Sequence, residues 1–231
     1  MQRECGIDEL AEKMHVSPLT IRRDLADLEK RKLIVRTYGG CIFGGMSAIE
    51  NEFHRKVTAN YEIKQAIGKA AARQVSNGDV VLINDGSTTY HLATSLGRLE
   101  SLTVFTNSIA MISAFNNCGN IAIYLLGGRY NIGYSHLSGS LTEQILEKMN
   151  VDIVFLGVDA IDPEGRCLSN SVEDARLSQL MLGTGRKKIL LADNSKIRNK
   201  GFFSYATLDQ FDLFITNRSD DRDLVRKLST M

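Results

Sequence analysis

Net charge of one sign is scarce in this chain. Its 28 Lys and Arg stand against 27 Asp and Glu, a formal balance of +1, which excludes a globally basic nucleic-acid coat. Aromatic residues make up 7%, and none interleave with basic residues as in a single-strand RNA binder. The four cysteines, Cys5, Cys41, Cys118 and Cys167, form no C-x-x-C pair and have no histidine cluster beside them. Reduced, structural thiols are the expectation, with no metal site and no cofactor. No apolar run approaches the roughly 20 residues that span a bilayer, and the polar, charged N-terminus does not read as a signal peptide. The expected compartment is the cytoplasm, with no membrane partner. Repeats and low-complexity tracts are also lacking.

What is present is ordinary globular material, 43% hydrophobic and 24% charged over 231 residues. That length accommodates one large α/β domain, or a small domain and a medium one. Near the start, Ile7, Leu10, Ala11 and Met14 repeat at the period of one buried helix face. Ser17 then reads as an N-cap, and Pro18 suits a first helical turn. In the second helix Ile21, Leu25 and Leu28 point inward, which leaves Thr20 and Arg23 outside. Two short helices with a brief polar connection, the second presenting Thr and Arg, match a helix-turn-helix reader of double-stranded DNA. Between Thr20 and Gly40 six basic residues face three acidic ones, a local net charge of +3. Such an excess suits phosphate contacts by a small module.

The β-rich stretch Leu33–Tyr38, followed by Gly39-Gly40 and Gly44-Gly45, reads as a hairpin wing. The Gly-rich break is the expected domain boundary: 1–45 as the DNA-binding unit, 46–61 as a linker with helical potential, and 62–231 as a second domain. In that domain, short β-branched runs at Asp79–Asn84, Leu102–Thr106, Ile121–Leu126, Val151–Val158, Lys188–Ala192 and Asp212–Thr216 read as strands covered on both faces. Helix candidates lie before, between and after them at Ile63–Ser76, Thr88–Leu96, Ser108–Asn116, Leu141–Met149, Glu173–Gly183 and Asp220–Leu228. The alternation predicts βαβ units and a mostly parallel α/β sheet.

Ligands of open α/β sheets bind at the carboxyl ends of strands, and this chain repeatedly places small and polar residues there. The first strand runs into Asn84-Asp85-Gly86-Ser87-Thr88-Thr89. Outward hydroxyls and free amides of Ser87, Thr88 and Thr89 would favour an anion such as phosphate, although Ser87 and Thr88 equally fit plain helix caps. The other ends are Thr106-Asn107-Ser108, Gly127-Gly128-Arg129, Gly157-Val158-Asp159 and Ala192-Asp193-Asn194-Ser195-Lys196. Each alone reads as a turn; together they outline a crevice for a small phosphorylated, hydroxyl-rich ligand, with Arg129 as a possible anion clamp. Asp85, Asp159, Glu173 and Lys196 could also serve acid–base chemistry on a sugar phosphate. No histidine is expected to assist, because His91 and His136 stand apart in sequence and His91 reads as a buried helix residue. Ser87 has no evident base partner, and Gly127-Gly128 lacks dinucleotide-binding spacing.

The run Ser17, Thr20, Ile21, Arg22, Arg23, Asp24, Leu25, Leu28, with Arg36, Gly39 and Gly40 after it, resembles the helix-turn-helix and wing of the DeoR family of bacterial transcriptional regulators. Downstream, Asp85–Thr89, Thr106–Ser108, Leu126–Gly128, Phe155–Asp159 and Leu191–Lys196 look like the effector domain of that family. The resemblance implies a winged helix-turn-helix joined to a sugar-phosphate-isomerase-like α/β sensor. It further implies a homo-oligomeric repressor of carbohydrate genes that responds to a phosphorylated sugar. Ser17, Thr20, Arg22, Arg23 and Arg36 become the expected DNA contacts. Asp85, Gly86, Ser87, Thr88, Thr89, Thr106, Asn107, Ser108, Gly127, Gly128, Arg129, Asp159 and Lys196 become the expected effector contacts, with no catalytic residue. The pattern departs from the family at Asn84, where Asp is common and hydroxyl recognition would be retuned. It departs again at Asp174-Ala175, usually Glu-Ala, and at Ser178, where Lys is frequent. The chain begins a few residues before Ile7, so the family's first helix is expected to be largely missing, exposing Leu10, Met14, Ile21 and Leu25. Alternative readings are a sugar-phosphate isomerase or deaminase, and a truncated ligand-binding protein without DNA binding.

Overall fold

Apolar spacing builds the first helices as their sequence requires. In the computed structural model, which describes residues 5–30, 34–37, 40–43, 50–115, 118 and 120–217, the chain divides into two units, Met1–Ala59 and Asn60–Met231. In the first unit β1 (Cys5–Gly6) leads into α1 (Ile7–Met14) and α2 (Pro18–Lys30). Asp8 and Glu9 in the first turn of α1 and Lys13 in its last complement the helix dipole. His15 ends the helix in the left-handed conformation, and Val16 N–H closes back on Ala11 O at 3.1 Å. Ala11, Ile21 and Leu25 form a small core flanked by Ile7, Leu10 and Leu28.

Two expectations are corrected here. Ile21 and Leu25 are buried, and Leu10 is half-buried, so α1 and α2 close a core together. Met14 is 64% exposed, in line with the expectation, and α1 ends at this residue, a turn beyond the part of the helix in the core. The wing is present as β2 (Ile34–Thr37) paired antiparallel with β3 (Gly40–Phe43), Thr37 opposite Gly40, with β1 on the far side of β3. Gly40 is thus a strand residue rather than part of a break. Next, α3 (Glu50–Thr58) spans most of the expected linker and buries Phe53 and Val57, one turn apart.

The second unit opens with α4 (Tyr61–Ala72), β4 (Val80–Ile83), α5 (Ser87–Ala93), β5 (Leu102–Thr106), α6 (Ile109–Ile112) and β6 (Ile121–Leu125). A hairpin of β7 (Arg129–Asn131) and β8 (His136–Ser138) precedes α7 (Ser140–Leu146) and β9 (Val151–Gly157). Then come β10 (Ala160–Ile161), β11 (Arg166–Ser169), α8 (Val172–Thr184), β12 (Gly185–Leu191), β13 (Phe203–Thr207) and β14 (Leu213–Ile215). Six strands form one parallel sheet in the order β14-β12-β9-β4-β5-β6. Alternate residues feed two cores: Leu82, Val154, Leu156 and Leu190 on one face, Val81, Ile83, Phe155 and Leu191 on the other. Coverage of both faces explains why the strands read as unbroken apolar runs. The helix expected over Ser108–Asn116 is shorter, α6 followed by a 3-10 turn at Ser113–Phe115. A separate antiparallel sheet, β10-β11-β13, was not expected from the sequence. The helix expected over Asp220–Leu228 lies outside the described residues.

Candidate functional site

Strand order places a switch point between β4 and β9. From β4 the chain moves outward through β5 to β6, while β9, β12 and β14 build the other half. Connections therefore diverge at the carboxyl ends of β4 and β9, where a crevice opens in sheets of this kind. Asn84 joins the two ends. Its Oδ1 accepts N–H bonds from Gly157 at 3.0 Å and Gly86 at 3.4 Å and lies 3.1 Å from the Thr89 hydroxyl. Asn84 thus spends this oxygen inside the protein as a loop clamp, where the sequence suggested a role in hydroxyl recognition. Tyr205 supports the same corner, its hydroxyl donating to Gly157 O at 2.9 Å.

The hydroxyls of the following turn need a second correction. Thr88 and Thr89 are buried, and the Thr89 hydroxyl lies 2.8 Å from Asn84 O and 2.7 Å from Gly86 O. It therefore closes the loop from within instead of facing outward. Tyr90 N–H makes the bond to Gly86 O that starts α5, so the amides of Ser87, Thr88 and Thr89 precede the helical ladder, as at any helix start.

A histidine is buried against the residues that follow β4, contrary to expectation. The β7–β8 hairpin folds back so that His136, 1% exposed, lies between two carboxylates. Its Nδ1 is 2.7 Å from Asp85 Oδ2, and its Nε2 is 3.3 Å from Asp174 Oδ1 at the start of α8. Close polar contact with both carboxylates and their negative charge act together on the ring. Burial pulls the imidazole pKa down, but Asp174 and Asp85 outweigh it and push it up to about 10. Burial likewise raises Asp85, and is outweighed by His136 and by the Asn107 amide, which leave Asp85 below the ordinary carboxylate range. At neutral pH the imidazole is therefore protonated.

Asn107 and Ser108, both fully buried, connect this trio to β5. Asn107 Nδ2 donates to Asp85 Oδ1 at 3.1 Å and to Leu137 O at 3.2 Å, and Ser108 forms a bridge with His136. Thr106 accepts the Ser108 N–H at 3.1 Å. Thr142 donates to Gly127 O at 2.6 Å. Gly128 adopts φ +153°, and a Cβ there would fall 2.3 Å from Thr142 Oγ1, so only glycine fits.

The remaining expected contacts sit elsewhere on the edge. Arg129 pairs with exposed Glu173 at 2.7 Å, which already occupies the expected anion clamp. Asp159 Oδ2 accepts Asn170 N–H at 3.0 Å. Lys196 belongs to a 3-10 turn capped by Asp193 and is half-buried. The structure thus joins Asp85 and Asn107 directly and Ser108 through His136, while Arg129 in β7, Asp159 after β9 and Lys196 in its 3-10 turn lie on flanking segments. Sequence reasoning missed His136 and Asp174, which no spacing pattern connects. His91 is buried in α5 with ring contacts to Tyr61 and Tyr90, as expected of a structural residue.

In the first unit Ser17 caps α2, its Oγ accepting Thr20 N–H at 3.1 Å. Thr20, Arg22 and Arg23 are exposed, with Arg23 on the side opposite Ile21 and Leu25. Arg36 lies in β2 opposite Cys41; its side chain is outside the described part of the chain. Residues 1–44 match the DeoR-like helix-turn-helix domain, and residues 59–218 match the DeoR C terminal sensor domain. The chain belongs to the DeoR family. DeoR-family relatives include an HTH-type transcriptional regulator GlpR of Haloferax volcanii, 33% identical over 94% of this chain and 85% of that protein. An HTH-type transcriptional repressor GlcR of Bacillus subtilis is 32% identical over 91% of this chain and 81% of its own length. These relatives are regulators, and this DeoR-family chain is a transcriptional regulator rather than an enzyme. Among solved structures it is similar to eIF2B delta from Chaetomium thermophilum, with TM-score 0.50 and 16% identity over 69% of this chain and 57% of that one. A D-ribose-5-phosphate isomerase in complex with phospho-erythronic acid gives TM-score 0.43 and 17% identity, over 59% of this chain and 54% of that one. The chain spans a little over half the length of each of these two structures. Among the described residues no helix is long and apolar enough to cross a membrane.

Proposed function

We propose that this chain is a homo-oligomeric, cytoplasmic repressor of a carbohydrate catabolism operon whose hold on operator DNA is set by a phosphorylated sugar. The observation that carries the reading is the pairing, in one chain, of an outward Thr20–Arg22–Arg23 face with a polar crevice at a sheet switch point. Arg22, Arg23 and Arg36 contact phosphates or bases, and Thr20 approaches the groove beside the Ser17 cap. In the crevice Gly86 turns the backbone and the amides of Ser87, Thr88 and Thr89 receive the phosphate, since they open a helix. Asp85 accepts from sugar hydroxyls, and Asn107 and Ser108 hold it in place. Gly127 and Gly128 let the backbone approach, while Arg129, Asp159 and Lys196 form the rim and Thr89 and Thr106 brace the loops. A relative named as a lactose phosphotransferase system repressor supports the class of target gene.

The test has two parts. Fluorescence anisotropy on the intergenic DNA beside the gene, at fixed salt, should show specific binding that one member of a sugar-phosphate panel changes. Arg23→Ala should lose roughly 1–3 kcal/mol of operator binding if it reads a base; equal binding by variant and parent refutes that assignment. The same sugar phosphate should raise the thermal midpoint, because it binds the folded state alone. No shift across the whole panel refutes the crevice reading.

A further inference from the structure

The two outer edges of the six-stranded sheet are finished differently. On β14 each residue is half-buried, whereas on β6 Ala122, Tyr124 and Leu125 are exposed. The sequence of β6, Ile-Ala-Ile-Tyr-Leu, contains no charge and no proline. Edges that must stay single ordinarily carry a lysine, a proline or a bulge to discourage pairing. Among the described residues β6 has a strand partner on one side alone, β5. Leu126 N–H bonds to Thr106 O on β5. The alternation of the ladder then turns the N–H and C=O groups of Ala122 and Tyr124 toward β5, and those of Ile121, Ile123 and Leu125 outward.

We infer that β6 is the pairing edge for a second copy of this chain, joined antiparallel about a two-fold axis at Ile123. In that register Ile121 lies opposite Leu125 of the partner subunit, and the outward backbone groups of both strands meet one another. Ala122 lies opposite Tyr124 of the partner subunit, small against large, and the axis repeats the match. An identical strand is therefore the fitting occupant: the exposed side chains interlock in size and no like charges meet. Tyr124 is 54% exposed yet already stacked on Phe105, with ring centroids 4.8 Å apart, so covering it immobilises little. Leu141, 55% exposed, stands over Gly127 just past the end of β6 and extends the apolar rim. Phe105 and Ile145, the neighbours of Tyr124 and Gly127, pack on the same core, which places this rim on one face. The inference rests on the homo-oligomer of the preceding reading and names its surface.

The experiment separates the two. Sedimentation velocity of the full chain over a hundredfold concentration range should show a dimer or a larger even assembly; a monomer throughout overturns the oligomer and the edge together. Ala122→Cys and Tyr124→Cys are then made separately in a Cys118→Ser background and mildly oxidised. Mixing the two should give a covalent dimer on a non-reducing gel. Neither should cross-link alone, since like residues would lie on a diagonal of about 7–8 Å, outside disulfide reach. Tyr124→Lys, which gives up the Phe105 stack, should stay folded with a slightly lower thermal midpoint at low concentration while weakening self-association at least tenfold. A missing mixed cross-link, or self-association unaltered in folded Tyr124→Lys, overturns this edge and leaves the oligomer standing.

Discussion

Replacing His136 with Gln would remove the positive charge that holds Asp85 and Asp174 together. Both carboxylates would then face each other's field from a largely dry crevice, and Asp85 would lose the partner that keeps its pKa low. Breaking a buried ion pair costs about 3–5 kcal/mol. Asp85 and Asp174 retain 26% and 30% of their side-chain exposure, so solvent screening favours the low end, about 3 kcal/mol. For a unit of this size that corresponds to a drop of roughly 6–12 °C in thermal midpoint. The pH dependence gives a sharper signature. The folded pKa of about 10 lies above the ordinary value of 6.5, so the folded state holds a proton that the unfolded state releases between those limits. The stabilisation is complete below pH 6.5 and declines by up to about 1.4 kcal/mol per pH unit as pH rises toward 10. Urea unfolding of parent and His136→Gln at pH 7, 8, 9 and 10 should therefore show a gap that narrows with pH. A gap that stays constant, or no gap at pH 7, would refute the charged brace.

Three further outcomes follow from local geometry. Ser17→Ala should cost about 1 kcal/mol through loss of the α2 cap, read as a lower midpoint for the first unit and weaker operator binding, with the sugar-phosphate shift unchanged. Asn84→Ala should destabilise the second unit by about 1–3 kcal/mol, because the buried Gly157 N–H loses its acceptor; a midpoint equal to that of the parent contradicts the clamp. Gly128→Ala should cost more than about 1 kcal/mol, since it meets both an unfavourable φ and the Thr142 hydroxyl; chemical denaturation checks it.

The parallel sheet was legible because β4, β5, β9 and β12 are buried on both faces and leave continuous apolar runs. The recognition helix was legible from the Ser17 cap and the spacing of Ile21, Leu25 and Leu28. Short antiparallel pieces were not: β10 and β11 have too few residues to display a period, and β13 carries Tyr205 as its polar-tipped core residue. His136 was hidden for a related reason. It sits in a three-residue strand, and its partners come from two other parts of the chain, so only the tertiary fold reveals its charge. Thr89 misled because a hydroxyl at a helix start can turn either way, and the Asn84 clamp decides the direction.

The trio at the crevice floor also bears on the order of folding. Asp85 follows the first strand of the sheet, His136 arrives on a hairpin after the third, and Asp174 opens the helix after the fourth. Contacts so far apart in sequence carry a large loop-closure cost and form late. The crevice floor is thus assembled only when the β4 and β9 halves of the sheet have come together. A partly folded chain would lack a complete binding surface, so occupancy of the crevice would report a finished sensor as well as an available metabolite.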